Sequence, residues 1–374
     1  MLNATEKQIM PRVNVTCVNT DKFKTGCISV NLITQLDREN AAKNALLPRV
    51  LRRGTARQPD MESLAAALDE LYGARVTPLT RKKGELQCVG FFADFIDDDY
   101  TPKGENVLEK TAALLGELLL SPLTRGGLLT GDYVEGEKKN LIDEIRAGIN
   151  DKRAYAVDRL LENMCADEAF GVNKLGGEEA ARAITARTLT AHYQSLIASA
   201  EVEVFYCGTA SPERVVSAVR EALAGLPRGG SLPERATEIR RHAPADAPRR
   251  FTESLDVSQG KLALGFRLGE AMYSPNYAAF AVFNALFGGS VTSKLFLNVR
   301  EKLSLCYYAS SVIEKHKGVM VVSSGVEFAK FDAALTEILA QLDAIRRGEV
   351  SDWEFVSAKR AVITTLKAAL DRPS

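Results

Sequence analysis

Apolar residues recur along the first half of the chain with two different periods. The stretches VNVTCVN and ELQCVGFFADFI alternate apolar and polar positions, which is typical of strands with one buried face. DMESLAAALDELYGARV instead places Leu64, Leu68 and Leu71 at helical spacing, and Gly73 follows where a helix would end. The mixture of the two periods predicts an α/β fold.

A further helix is predicted over residues 41–55, AAKNALLPRVLRRGT. Its apolar residues lie at helical spacing and Gly54 stands at its end, but Pro48 lies inside it. A proline in a helix interior removes one backbone hydrogen bond and costs about 3 kcal/mol. The sequence therefore indicates a helix that is kept in spite of a defect.

The second half of the chain repeats the order of these elements. SDWEFVSAKRAVITTLKAALDRP at residues 351–373 matches GDYVEGEKKNLIDEIRAGINDKR at residues 131–153. Between the halves, residues 226–249 are rich in proline, glycine and charge and have no apolar period. We therefore predict two similar domains, 1–225 and 250–374, joined by a linker at 226–249.

The repeat also predicts that the second domain is truncated at its C-terminus. The first domain continues for some 55 residues past Asp151, through a further helix and the strand EVEVFYCG. The second stops three residues past Asp371, the counterpart of Asp151. Because the missing elements would leave a sheet edge unpaired, we expect the sequence to be a fragment of a longer chain.

Charge and hydropathy indicate which classes of molecule the chain can bind. Lysine plus arginine equals aspartate plus glutamate at 48 each, so no overall field attracts nucleic acid. The longest apolar stretch, YAAFAVFNALFGG, is too short to span a bilayer, and the N-terminus has no apolar signal core. We therefore expect protein or peptide partners, and neither nucleic acid nor a membrane.

The six cysteines indicate a reducing compartment. They lie far apart, and no two have the two-residue spacing of redox or zinc motifs. Several occur in strand-like stretches, where a free cysteine behaves as a small buried hydrophobic residue. Reduced thiols fit the cytoplasm, which is the expected location.

Motifs alone predict no catalytic centre. The chain has three histidines, His192, His242 and His316, and none has a second ligand at metal-binding spacing. No nucleophile elbow, phosphate-binding loop or dinucleotide-binding loop occurs. The histidines are interpreted as surface or packing residues.

The order of elements nevertheless resembles a known family. A strand, a helix ending in Gly-Thr, a leucine-rich helix, an alternating strand and D-Y-x-x-x-E-K-x-x-x-x-x-E-I are similar to the insulinase/pitrilysin-type zinc peptidases, in particular their bacterial two-domain subunits. FGGSVTSKLFLNVREKLSLCYYA resembles the family's L-G-G-x-x-S-x-L-F-x-x-[IV]-R-E-K-x-G-L-x-Y. The resemblance covers essentially the whole chain. It implies two homologous α+β sandwich domains, each a mixed, mostly antiparallel sheet with helices on one face.

The resemblance implies that the metal site of the first domain is lost. Active members carry H-x-x-E-H just before a Gly-Thr pair, where two histidines bind zinc and the glutamate acts as general base. Alignment on Gly54 and Thr55 places Ala45, Pro48 and Arg49 at these positions. None of the three can bind zinc or take up a proton. We therefore expect no cofactor in this chain, and zinc only in a partner subunit.

A later helix keeps part of the family's pattern. Glu137 and Glu144 lie seven residues apart on one face, and Glu144 matches the family's distal zinc ligand. One glutamate cannot hold zinc, so both could be solvated helix carboxylates. The alternative hypothesis is that Arg49 replaces the metal and pairs with Glu144, since a guanidinium is a permanent cation that matches a carboxylate.

The second domain departs less from the family. In the family, an arginine and a tyrosine of this domain bind the substrate backbone and support the transition state at a zinc site across the cavity. They correspond here to Arg300 and Tyr307 in REKLSLCY. Ser304 stands where glycine is usual. The alternative is that Arg300 is a solvated helix residue and Tyr307 a packing residue of a strand.

A chain without the metal site but with Arg300 and Tyr307 is predicted to be the non-catalytic half of a two-subunit peptidase, inactive alone. The partner would be a homologous zinc-bearing subunit, and the substrate a peptide held by strand addition. Two alternatives stay open. The chain could form a homodimeric binding or scaffold protein, or it could be a metalloendopeptidase with other ligands.

Overall fold

The computed structural model describes residues 3–229, 235–244 and 247–373. As far as they are described, Met1–Arg146, Val172–Ala236 and Pro373–Ser374 form a first compact unit, and Ala147–Gly171 with Thr237–Arg372 form a second. Residues 147–171 thus group with the second unit, although they precede the predicted linker. Within that linker, residues 230–234 and 245–246 lie outside the described residues. The domain bounds themselves stay a prediction.

Through residue 222 the elements follow in chain order. They are β1 (Asn3–Met10), β2 (Val13–Asn19), β3 (Thr25–Gln35), α1 (Ala41–Leu51), α2 (Met61–Asp69), β4 (Arg75–Lys83), β5 (Leu86–Ile96), α3 (Val107–Leu120), β6 (Thr124–Arg125), β7 (Leu128–Leu129), α4 (Gly131–Ala147), α5 (Lys152–Met164), α6 (Glu178–Arg182), α7 (Ala186–Ser199), β8 (Glu201–Gly208) and α8 (Pro212–Ala222). Short 3-10 turns lie at Asp98–Tyr100, Gly148–Asn150 and Ala169–Gly171.

The second unit continues after residue 259. Its elements are β9 (Gly260–Arg267), α9 (Tyr277–Phe287), a π-helix (Leu295–Lys302), β10 (Cys306–Glu314), β11 (Val319–Val326), a 3-10 turn (Phe328–Lys330), α10 (Phe331–Arg346) and α11 (Asp352–Ala369). Within the part of the chain that the structure describes, no helix combines the length and the apolar character needed to cross a membrane.

Each unit is built on a sheet. The described strands of the first unit pair in the order β1-β2-β8-β3-β5-β4, all antiparallel except the parallel pair β2 and β8. Those of the second pair in the order β10-β11-β9, all antiparallel. The predicted α/β fold with mixed, mostly antiparallel sheets is confirmed. The truncation of the second domain stays a prediction.

Helix α1 is held by its packing against the sheet. Leu46 and Leu47 are buried in the core of the first unit, and the helix contacts β4 and β5. Pro48 is also buried, at the eighth of eleven helical positions. Because tertiary packing supplies most of a short helix's stability, the hydrogen bond that Pro48 cannot make is tolerated.

A buried polar network fixes the rotation of α1. The side-chain amide of Asn44 donates to Gln87 Oε1 at 2.8 Å, and its Oδ1 lies 2.7 Å from His192 Nε2. Gln87 in turn donates to the main-chain oxygen of Lys174 at 2.6 Å. Burial, reinforced by nearby Lys43, lowers the pKa of His192 to about 4. This histidine is therefore neutral at pH 7 and packs the helix, as the sequence suggested.

The core of the second unit contains a charged cluster. Arg267 donates to both carboxylate oxygens of Glu168, from Nη1 at 2.9 Å and from Nη2, and Lys317 Nζ lies 2.6 Å from Oε2. The side chains of Glu168 and Lys317 are fully buried. Burial alone would raise the pKa of Glu168, but the hydrogen bonds from Arg267 and Lys317 outweigh it and hold that pKa below its ordinary value. Glu168 is therefore ionised in the folded protein.

The cysteines pack as small hydrophobic residues. All six are free and buried. Burial raises the pKa of Cys17 and of Cys165 to about 11. Both thiols are therefore protonated at neutral pH and poorly nucleophilic.

Candidate functional site

The first two positions of the degenerate metal site offer no ligand atoms. Ala45 and Pro48 project from α1 into the core, where Ala45 has no exposed surface and Pro48 is buried. A methyl group and a pyrrolidine ring can neither coordinate a metal nor accept a proton from water.

The predicted ion pair between Arg49 and Glu144 is present. Arg49 Nη1 lies 2.7 Å from Glu144 Oε2 and joins the last turn of α1 to α4. The two side chains are 20% and 50% exposed, so the pair adds at most about 1 kcal/mol to stability. This geometry is the one expected if the Arg49 guanidinium takes the place of the metal. That Arg49 replaces the metal in this way stays a prediction.

A second ion pair lies just beyond the C-terminal end of α1. Arg53 Nη1 lies 3.1 Å from Glu137 Oε1, and its guanidinium stacks over the ring of Tyr133 at 5.3 Å. The Glu137 side chain is only 13% exposed, so it is a paired carboxylate and not a solvated one. Sequence reasoning missed Arg53, although Arg49 and Arg53 are four residues apart and Glu137 and Glu144 are seven apart. In the structure each arginine lies opposite one of the two carboxylates.

These residues surround a pocket of about 490 Å³ in the first unit. Arg49, Arg52 and Arg53 line it from α1 and its C-terminal end, and Glu137 and Glu144 line it from α4. Zinc in a protein takes neutral histidine, thiolate or carboxylate ligands, whereas the carboxylates here are already paired with permanent cations. The residues present therefore do not fit zinc.

The edge of the sheet beside this pocket is a poor surface for strand addition. β4 is the last strand of the sheet, and its Pro78 and Thr80 line the pocket. Pro78 has no N–H to donate, and the Val76 carbonyl already accepts from Arg52 Nε at 2.6 Å. An incoming peptide strand would therefore lack part of its main-chain hydrogen bonds at β4.

Arg300 and Tyr307 are brought together in the second unit. Arg300 lies in the π-helix Leu295–Lys302, a rare geometry that is frequent at functional sites. Its Nε donates to the Tyr307 main-chain oxygen at 3.0 Å, and its guanidinium stacks over Phe296 at 4.7 Å. Its Nη1 also lies 3.2 Å from Glu301 Oε1, so three contacts hold a guanidinium that is still 39% exposed.

Tyr307 lies at an irregular point of the sheet. The register between β10 and β11 shifts between Cys306 and Tyr308, which is the mark of a β-bulge, and Tyr307 is 54% exposed. Bulges often redirect a side chain next to a functional site. More than half of Tyr307 is thus exposed, so it is not a packing residue of the strand.

Ser304, between these two residues, has a left-handed backbone conformation with φ of 50°. This is the region where glycine has no steric cost, which explains the glycine of the family pattern at this position. The turn between the π-helix and β10 is formed, at the cost of strain in a residue that carries a Cβ.

We expect Ser304→Gly to stabilise the protein and Ser304→Val to destabilise it. Relief of the left-handed strain should outweigh the extra chain entropy of glycine by about 0.5 kcal/mol, whereas a β-branched residue is a genuine outlier there and should cost about 2 kcal/mol. Urea unfolding of the three proteins measures the order. Equal destabilisation by glycine and valine would contradict the conformation described.

Comparison with known proteins places this arrangement in a family. Residues 183–362 match the family described as peptidase M16 inactive domain. A relative from Bacillus subtilis (strain 168), named probable inactive metalloprotease YmfF, is 35% identical over 360 residues, which are 95% of this chain and 82% of the relative.

Solved structures agree with this assignment. The crystal structure of a conserved protein from Enterococcus faecalis V583 matches 99% of this chain and 86% of its own with a TM-score of 0.89 and 28% identity. A peptidase M16 inactive domain from Pseudomonas fluorescens matches with a TM-score of 0.78 over 99% of this chain and 86% of its own. At 16% identity, that second likeness concerns the fold alone. The chain belongs to the insulinase- and pitrilysin-type M16 peptidase family, as an inactive, peptidase-like member.

Proposed function

We propose that the chain is the non-catalytic subunit of a two-subunit zinc peptidase, to which it contributes peptide binding and the pair Arg300 and Tyr307. The observation that carries the proposal is a contrast within one chain. The first unit has Ala45, Pro48 and Arg49 at the positions of the metal-binding residues, whereas the second holds Arg300 by three contacts beside the exposed Tyr307.

The chemistry of the pair suits a peptide carbonyl. Arg300 donates from Nε to the main chain of Tyr307, and its Nη1 lies 3.2 Å from Glu301 Oε1. Nη2 of this partly exposed side chain would donate to the substrate. A guanidinium and a phenol can both donate hydrogen bonds to a carbonyl oxygen on which negative charge develops. Zinc and its activated water would come from the partner subunit, because the residues of the first unit do not fit the metal.

The hydrogen-bond donors for the reacting carbonyl of the peptide would come from the second unit. Pro78 and the occupied carbonyl of Val76 weaken β4 as an edge for an added strand. Arg300 and Tyr307 need no free edge, because they bind through side-chain donors. Within the proposed complex, strand addition would fall to another sheet edge.

The test is co-expression with a homologous subunit that has an intact H-x-x-E-H and is encoded by the same genome. The chain alone should cleave no peptide, while the purified complex should cleave peptides and lose this activity on treatment with a chelator. Inactivating the H-x-x-E-H of the partner subunit should abolish activity without loss of assembly.

Two results would contradict the proposal. Zinc-dependent cleavage by the chain alone would show an active peptidase with other ligands. A stable homodimer that fails to associate with any zinc-bearing relative would favour the binding or scaffold protein.

A further inference from the structure

The pocket at the degenerate metal site has the composition of an anion-binding site. It contains four cations and two carboxylates, an excess of two positive charges: Arg49, Arg52, Arg53 and Lys174 against Glu137 and Glu144. Where active relatives present ligands to a metal cation, this chain presents cations. The preferred charge of a bound group is therefore reversed.

The two ion pairs leave hydrogen-bond donors unused. Arg49 reaches Glu144, and Arg53 reaches Glu137, through Nη1 alone. A guanidinium has five N–H donors in a planar fork, so Arg49 keeps donors on Nε and Nη2 that no described residue occupies. The Lys174 ammonium likewise makes no hydrogen bond or ion pair with the described part of the chain.

The framework around these donors is rigid. Gln87, which is fully buried, anchors the main chain of Lys174 at 2.6 Å and also accepts from Asn44 of α1 at 2.8 Å. Lys174 and α1 are thus held to the same strand, β5. These bonds fix the backbone from which Arg49 and Lys174 project, so a ligand would have to order only their side chains.

We propose that this pocket binds the C-terminal carboxylate of a peptide. The free fork of Arg49 forms a bidentate pair with the carboxylate, and Lys174 supplies a second cation. Met61, Pro78 and Leu175 give the pocket an apolar wall for the side chain of the last residue. The inference does not rest on a zinc-bearing partner, so it can succeed or fail apart from the proposed function.

Size and charge favour this ligand over other anions. A volume of about 490 Å³ is that of a small-molecule site and holds one or two residues of a peptide. Glu137 and Glu144 repel groups with several negative charges, such as polyphosphates or nucleic acid. A single carboxylate offsets one of the two excess positive charges, and it meets less of that repulsion than a group with several negative charges.

The test is fluorescence anisotropy with the full chain and three labelled peptides. The first is fluorescein-GGSGAL with a free C-terminal carboxylate, the second is its C-terminal amide, and the third is the amide of fluorescein-GGSGAD. The free acid should bind at least about tenfold more tightly than either amide. Equal binding of the acid and its amide would overturn the proposal. Tight binding of the third peptide alone would assign the pocket to acidic side chains and overturn the terminal-carboxylate assignment.

Variants locate the binding in the pocket. Arg49→Gln and Lys174→Ala should each weaken binding of the acid by about tenfold. Lys139→Ala is the matched control, since it removes an exposed cation of α4 that does not line the pocket. Lys174→Ala breaks no ion pair and is therefore expected to fold. If Lys139→Ala weakened binding as much as Lys174→Ala, the interaction would be a general charge effect and the proposal would be wrong.

Discussion

We expect Arg300→Ala to lower kcat of the proposed zinc-dependent complex by about 100-fold while the two subunits still assemble. This magnitude is typical for loss of one donor to an oxygen on which charge develops in the transition state. Tyr307→Phe, which removes only a hydroxyl, should lower kcat by about tenfold or more for the same reason. Steady-state kinetics on purified complexes, with gel filtration to verify assembly, measure both effects.

The control for Arg300 is another partly exposed arginine of the second unit. Arg346 lies at the end of α10, pairs with Asp343 at 3.1 Å and is 69% exposed, so Arg346→Ala should leave kcat unchanged. If Arg300→Ala and Tyr307→Phe both left kcat of an active complex unchanged, the two residues would have no role in the reaction. The scaffold alternative predicts that the two substitutions have no effect, whereas the proposed function predicts that activity is lost and assembly is retained.

Glu168→Gln should lower the free energy of unfolding by about 3–5 kcal/mol, because it removes the carboxylate from a buried cluster and leaves the Arg267 charge without it. Arg267 is 5% exposed and bonds to both oxygens of Glu168, so water cannot replace the lost partner. Urea denaturation at neutral pH, followed by circular dichroism, measures the change. Glu162→Gln is the control, since that carboxylate is 33% exposed and should cost no more than about 1 kcal/mol.

The same cluster gives stability a defined dependence on pH. The pKa of Glu168 in the folded protein lies below its ordinary 4.5, so its contribution is complete above that value. It is lost as the pH falls through the pKa of the folded state, where the carboxylate takes up a proton. The gap between wild type and Glu168→Gln should therefore narrow in acid. A constant gap down to acid unfolding would show that the cluster is not ionised.

The sequence predicted those features that depend on the local spacing of apolar residues or on a family motif. The helix over residues 41–55 was recognised despite Pro48, since its apolar positions suffice to bury it. The Arg49 and Glu144 pair followed from alignment on Gly54 and Thr55 together with the fixed charge of a guanidinium. Strand β4, by contrast, was missed because RVTPLTRKK carries a proline and four cations, which is the pattern of a protected edge.

Other features depend on contacts that have no local signal. Glu168 is 99 residues from Arg267 in sequence, so nothing near it indicates a buried cluster. The apolar period of α5 predicts a helix but not which core it joins, and α5 groups with the second unit. The π-helix around Arg300 has hydrogen bonds set by its surroundings, and apolar spacing does not distinguish it from an ordinary helix.

The four cations around the degenerate site also affect how zinc would distribute between this chain and a homologous zinc-bearing subunit. A divalent ion approaching Arg49, Arg52, Arg53 and Lys174 meets like charge in a partly enclosed space, where screening by solvent is weaker than in bulk water. Such a pocket does more than lack ligands, because it also disfavours the ion electrostatically. In a complex of two homologous subunits, zinc would then partition to one side only, and the metal content of the assembly would be one ion for each pair of chains.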